Sequence, residues 1–410
     1  MSFTSGQSRW GDVYVTAGSR ALSMAGDALA ATTLALALQD RGAGGLAVSG
    51  LWLAATLPLV ALAPLTGRLI DRFDSRVLLV TTGLAQAAVC AVLAFVTAPI
   101  ALIALIAVLA AGLAISNPTF SALVPSMVSR ADLPKASAIG QTASMIGTLL
   151  GPAAAGFLVG AFGTRPPLLI DALTYLAVAV AGLLLRTRRN ARGAAAAPTA
   201  DGAAPPAPWR LRGDGLLLAT FLTFGAVVAG VGGVNVIEVF FIRDTLGASA
   251  SAFGLVTACW TAGMAAGAWV FAKVARRYDD DSGLARGTLL LLGATCVPVV
   301  ISAAAPGVGL VVALWLVGGL LNGGLGVFST VLVARRVPER ARGRAFSALS
   351  AAASGGAMFG YVLAGALLGP FSPRALVLAF GLAGVLAVLA TAAPVARAIR
   401  RERVTSAAVA

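Results

Sequence analysis

The stretch AAAAPTADGAAPPAP, residues 194–208, decides how this chain is read. It is rich in Ala and Pro and has no hydrophobic period, so it reads as the centre of a flexible linker across 186–214. On either side the sequence turns strongly apolar. Six long apolar stretches precede it, at about 17–38, 44–66, 77–97, 100–123, 137–161 and 167–185. Six more follow, at about 215–242, 250–274, 286–304, 308–333, 345–369 and 375–396. A membrane-crossing helix needs roughly 20 apolar residues, so twelve would take about 240 and leave little for a soluble domain. The expected fold is an all-α membrane protein with twelve transmembrane helices in two pseudo-symmetric six-helix bundles. The expected domains are residues 1–190, a linker at 191–213, and residues 214–410.

Composition supports a bilayer as the solvent. Of 410 residues, 59% are apolar and 11% charged, and the mean hydropathy is +0.91. A soluble domain carries about 25% charged residues. That deficit excludes an ordinary soluble protein and a disordered one. The absence of His excludes His-based triads, imidazole metal sites and His proton relays. Cys90, Cys259 and Cys296 each lie in an apolar segment without C-x-x-C spacing, and read as small core residues. No P-loop motif occurs, so an ATPase engine is not expected. Neither a metal nor a cofactor is implied, and nothing points to an enzyme. Residues 1–15 lack the basic and apolar regions of a cleaved signal.

The formal charge of +14 comes from 28 Arg and 2 Lys against 16 acids. With the N-terminus placed inside, 26 of the 30 basic residues fall in inner segments. Only Arg41, Arg165, Arg243 and Arg374 fall outside. Basic loops mark the cytoplasmic side, so both termini are expected there, in the cytoplasmic membrane. The basic excess faces anionic lipid rather than nucleic acid. The halves also repeat. A shift of 209 residues maps Gly147, Gly151, Gly156 and Gly160 onto Gly356, Gly360, Gly365 and Gly369. A shift of 200 maps Gly67 onto Gly267 and Arg76 onto Arg276. Duplicated halves place a substrate site at the midplane.

Five strings carry a family resemblance. Gly67-Arg-Leu-Ile-Asp71-Arg72-Phe-Asp-Ser-Arg76, expected in a short loop after the second helix, resembles motif A of the major facilitator superfamily. Asp74 and Ser75 stand where that motif has Gly-Arg. Gly67 would permit a tight turn and close packing. The resemblance implies that Asp71 meets the N-terminal dipole of the eleventh helix and latches an inner gate with Arg72 and Arg76. Gly147-Thr-Leu-Leu-Gly151-Pro152-Ala-Ala-Ala155-Gly156 resembles motif C of the drug–proton antiporter branch, with Ala155 replacing one Gly; that branch exports. Asn117–Pro125, Val128–Leu133 and Ile170-Asp171-Ala172-Leu173 resemble macrolide and siderophore exporters of the same superfamily.

Acids inside apolar spans are the remaining signal, since a mid-helix carboxylate costs roughly 2.5–3.5 kcal/mol on insertion scales. Asp27 lies mid-helix, as a proton-coupling or cation-binding group or as the partner of a structural hydrogen bond, for instance with Arg20. Glu238 is a second candidate, or a pair with Arg243. Asp171 follows Arg165-Pro-Pro, where a helix dipole alone favours an acid. Asn117, Asn235 and Asn322 bind substrate or join helices. The combined expectation is a monomeric secondary transporter in the lipid bilayer. It would export small hydrophobic or amphipathic compounds such as antibiotics, with protons as the coupling ion. A nutrient uptake permease and a non-transporting membrane scaffold are the alternatives.

Overall fold

The computed structural model describes residues 8–129, 131–187, 211–278 and 280–409. Most of the linker, including residues 191–210, and Arg130 and Asp279 lie outside the described residues. Among those described there is helix and no strand. Twelve helices among the described residues are long and apolar enough to cross a membrane. The first half contributes α1 (Trp10–Asp40), α2 (Gly44–Ala61), α3 (Ala63–Arg72), α4 (Ser75–Leu93), α5 (Pro99–Met127), α6 (Leu133–Phe162) and α7 (Arg165–Leu184). The second contributes α8 (Gly215–Val231), α9 (Val234–Phe240), α10 (Ala250–Ala275), α11 (Asp281–Ser302), α12 (Val308–Arg336), α13 (Glu339–Leu367) and α14 (Pro373–Val409). All but α3 are spans or parts of one; α8 and α9 form a single span.

Four differences from the sequence expectation have local causes. The first helix starts at Trp10, not near residue 17. Asp12 lies in its first turn, where an acid suits the helix dipole, and accepts the Thr187 backbone N–H at 2.9 Å. Trp10 lies under the Lys135 ammonium, 4.8 Å from the ring centroid. The second apolar stretch breaks at Leu62, where Pro64 opens α3 without an N–H to continue the ladder. Gly67 is therefore inside a short helix, not in a loop. The seventh stretch breaks at Gly232-Gly233 and ends in a π-turn over Phe241–Thr245. A side chain at Gly233 would strike the Phe380 ring and the Gly360 carbonyl.

Contacts divide the chain into two compact units. One holds Met1–Ala43, Leu51–Asp201 and Ser249–Ala258; the other holds Gly44–Gly50, Gly202–Ala248 and Cys259–Ala410. In the first, α1 packs on α6 and α7, and α4 packs on α5 and α7. A Cβ at Gly147 would strike the Ala21 carbonyl, and one at Gly151 would sit 2.7 Å from the Ala25 oxygen and 3.0 Å from the Leu29 nitrogen. In the second, α13 packs on α8 in the same way. A Cβ at Gly356 would lie 2.5 Å from the Gly225 oxygen, and one at Gly360 2.7 Å from the Gly233 nitrogen. Small residues let helix backbones approach without side chains between them. At Gly147/Gly356 and Gly151/Gly360 the repeat at a shift of 209 is thus a repeat of helix seating; Gly160 faces Ser251, whereas Gly369 has no neighbour within 4 Å. The shift of 200 has no such counterpart: Gly67 has no neighbour within 4 Å where a Cβ would go, whereas Gly267 abuts the Leu320 backbone.

Candidate functional site

The first unit holds a cavity of about 70 Å³. Asp27 from α1 and Asp171 and Tyr175 from α7 line it, with Leu51 and Trp52 from α2 and Ile106 from α5. No Lys or Arg is among its lining residues. Asp171 and Tyr175 are 0% and 1% exposed. Four residues apart on a helix, they share one face, and that face is turned to α1.

Glycine sets the approach. Gly26 lies against α7, and a Cβ there would collide with Asp171 Oδ1 and Thr174 Oγ1. The missing side chain leaves room for the acid of the neighbouring helix. Each acid then finds donors. The Tyr175 hydroxyl donates to Asp27 Oδ1. Thr174 Oγ1 donates to Asp171 Oδ1 at 3.0 Å, and the Cys90 thiol of α4 donates to Asp171 Oδ2 at 3.1 Å. Asp27 Oδ2 is buried with no hydrogen-bond partner. A buried polar atom left unpaired is costly, so this oxygen is a place where a proton or ligand would be stabilised.

The other sequence candidates are distributed as follows. Arg20, the alternative partner of Asp27, instead donates to Ser121 of α5 at 3.5 Å. Asn117 is half-buried on α5, and its backbone carbonyl accepts the Ser121 hydroxyl at 3.1 Å. Glu238 is buried on α9 in the second unit and does not line the cavity. Asn235 donates from Nδ2 to the Gly232 carbonyl at 3.2 Å, across the break before α9. Asn322 is half-buried on α12.

In the string resembling motif A, the Asp71 side chain lies outside the described residues and Arg72 is exposed. Arg76 donates from Nε to the Gly182 carbonyl at 3.1 Å and from Nη2 to the Leu183 carbonyl. It thereby meets orphan carbonyls at the C-terminus of α7. Asp74, which departs from the motif, caps α4 by accepting the Arg76 backbone N–H at 2.7 Å. In the string resembling motif C, Gly147 and Gly151 seat α6 on α1 within two turns of Asp27, and the helix continues through Pro152. Gly156 faces Ala250 and Gly254 of α10, in the part assigned to the same unit.

The sequence profile of the Major Facilitator Superfamily matches residues 16–241 and again 220–408. The chain belongs to this superfamily. Similar solved structures carry the same fold. The nucleoside transporter NupG is 14% identical at a TM-score of 0.75, covering 93% of this chain and 99% of that one. A bacterial homologue of the iron transporter ferroportin is 18% identical at a TM-score of 0.71, covering 95% and 100%. A bacterial homologue of the human lysosomal transporter Spinster is 15% identical at a TM-score of 0.67, covering 95% of each chain. A search of curated proteins finds no match. The protein is a multi-pass membrane transporter of the major facilitator type, and members of this superfamily bind small-molecule substrates in the membrane.

Sequence reading reached Asp27 and Asp171 but missed what joins them. Tyr175 was within reach, being four residues after Asp171. Cys90 had no local signal, because its partner lies on another helix.

Proposed function

We propose that this transporter exports small, moderately hydrophobic molecules in exchange for protons, with Asp27 as the coupling group. The observation that carries the reading is the buried, unpartnered Oδ2 of Asp27 beside Asp171 in a cavity without a basic lining residue. A carboxyl group there can take up a proton without breaking an existing bond. Resemblance of Gly147, Gly151, Pro152 and Gly156 to the antiporter motif supports export. The string Gly67–Arg76 supplies the inner gate.

The protein is a monomer in the cytoplasmic membrane, with both termini and the linker at 191–213 inside, joining bundles 1–190 and 214–410. The arginine distribution supports this orientation. One pH unit provides about 1.36 kcal/mol, and 100 mV about 2.3 kcal/mol per charge. Together these sustain roughly a 500-fold gradient of a neutral substrate per proton. Protonation of Asp27 from outside accompanies substrate release, and proton loss inside resets the site.

The test is a drug-susceptibility and dye-efflux panel in a pump-deficient host. Wild type should lower accumulation of at least one lipophilic compound, and Asp27→Asn should abolish that phenotype at equal expression. Counterflow of a sugar, nucleoside or amino acid without any efflux phenotype would replace export with uptake.

A further inference from the structure

We propose that Cys90 is a positioning residue that decides which of the two carboxyl groups takes the coupling proton. The inference rests on the reading of Asp27 as the coupling group. Four carboxyl oxygens are present. Asp171 Oδ1 accepts from Thr174 at 3.0 Å and Asp171 Oδ2 from Cys90 at 3.1 Å. Asp27 Oδ1 accepts from Tyr175. Only Asp27 Oδ2 has no partner.

An ionised carboxylate only accepts, whereas a carboxylic acid has one O–H to donate. A proton placed on Asp171 would bring an O–H against a donor already present. On Oδ1 the hydroxyl would swing to the Asp171 backbone carbonyl, 2.8 Å away, and on Oδ2 the thiol would have to turn away, inside a site where Asp171 and Cys90 are both 0% exposed; in either case the ionised form loses a donor that stabilises it. A proton on Asp27 Oδ2 displaces no donor. Asp27 lines a cavity of about 70 Å³, large enough for water. The donors on Asp171 therefore direct the proton to Asp27.

Within this arrangement the thiol is the dedicated donor. The Thr174 hydroxyl is shared, because it also reaches the Asp171 backbone carbonyl at 2.8 Å. The Cys90 thiol reaches the carboxylate. Cys296 in the second unit makes a different bond, donating to the Leu292 carbonyl one turn earlier on its own helix at 3.3 Å. The titratable groups facing the pair are Cys90 from α4 and Tyr175 from α7. The cavity-lining residues of α2 and α5 are apolar or tryptophan, and Arg20 is bonded to Ser121.

The test is an infrared pH titration of the full chain in lipid vesicles, following the C=O stretch of a protonated carboxyl group in apolar surroundings. It needs no substrate. Taken as a difference spectrum, so that buried acids common to every variant such as Glu238 and Asp12 cancel, wild type should show one titrating carboxyl at this site, and Asp27→Asn none. Adding Cys90→Ala to Asp27→Asn should restore one, which Asp171→Asn then removes. Adding Cys90→Ser should leave the site silent, because a hydroxyl replaces the donor; Cys296→Ala should also leave it silent. If Asp27→Asn does not fold, Cys90→Ala alone should shift the midpoint by about one pH unit relative to Cys90→Ser.

A Cys90→Ala/Asp27→Asn protein as silent as Asp27→Asn would overturn the role of Cys90, as would identical behaviour of the Ala and Ser variants. An unchanged signal in Asp27→Asn alone would overturn the underlying assignment of Asp27. An efflux panel without a phenotype would bear on export and leave the titration result standing.

Discussion

The two halves are built on the same helix seating and differ in what they place at it. In the first, Gly26 lies against α7 and is followed by Asp27; in the second, Gly230 lies against α14 and is followed by Val231. Gly26 meets the side chains of Asp171 and Thr174, whereas Gly230 meets the backbone of Ala383 and Gly384. A cysteine of a neighbouring helix reaches each place: Cys90 bonds Asp171, and Cys296 Sγ lies where a Gly384 side chain would go. Gly225, Ala229 and Gly233 receive α13 as Ala21, Ala25 and Leu29 receive α6. The glycine pattern thus belongs to the scaffold, and the acid pair is what the proposed function uses. The halves hold two similar seats, and one of them carries carboxyl groups.

The comparison can be broken at its scaffold first. Gly147→Ala should cost about 2–3 kcal/mol, because the new Cβ meets the backbone oxygen of Ala21, which cannot rotate away. Gly356→Ala should cost somewhat less, its contact with the Gly225 oxygen being longer. Gly140→Ala on the same α6 has no neighbour within 4 Å and should be stabilising by about 0.5–1 kcal/mol. Thermal unfolding of the purified proteins orders the three. Equal losses at Gly147 and Gly140 would mean that α6 is not seated as described.

A sharper test separates scaffold from chemistry. Gly26→Ala should displace Asp171 and Thr174 and remove proton-driven transport, while Gly230→Ala should lower the unfolding temperature and leave coupling in place. Transport assays at equal expression measure this, and loss of coupling in both variants would contradict the division of labour.

The smallest effect lies outside the spans. Asp132, just before α6, is held below the usual carboxylate range by hydrogen bonds from Ser8 and Ser129, with a further contribution from Lys135. A depressed pKa contributes stability that is present above the ordinary carboxylate value of about 3.9 and is lost as pH falls through the folded-state value. Wild type should therefore outlast Asp132→Asn at neutral pH, and the difference should vanish in strong acid. A gap that widened on acidification would reverse this sign.

Much of the fold was legible because a bilayer imposes a simple rule, that each crossing needs a long apolar helix. The twelve stretches followed from that, and the glycines at a shift of 209 from setting one half against the other. Local exceptions were harder to read. The start of α1 at Trp10 depends on Asp12 reaching Thr187, a contact between residues far apart in sequence. The break at Gly232-Gly233 depends on Phe380 and Gly360. At the site, Asp27 and Asp171 stood out because acids are rare in apolar runs. Their convergence depends on the rotation of α1 and α7 about their axes, to which Gly26 contributes. Cys90 looked like any small core residue until α4 was placed beside α7.

The most direct measurement uses the full chain in vesicles with an imposed pH gradient, and a compound identified by the efflux panel. Wild-type accumulation should follow the gradient. Asp27→Asn should still exchange the compound in counterflow, with the gradient no longer driving net movement. Gradient-driven accumulation by Asp27→Asn at the wild-type level would contradict the central claim.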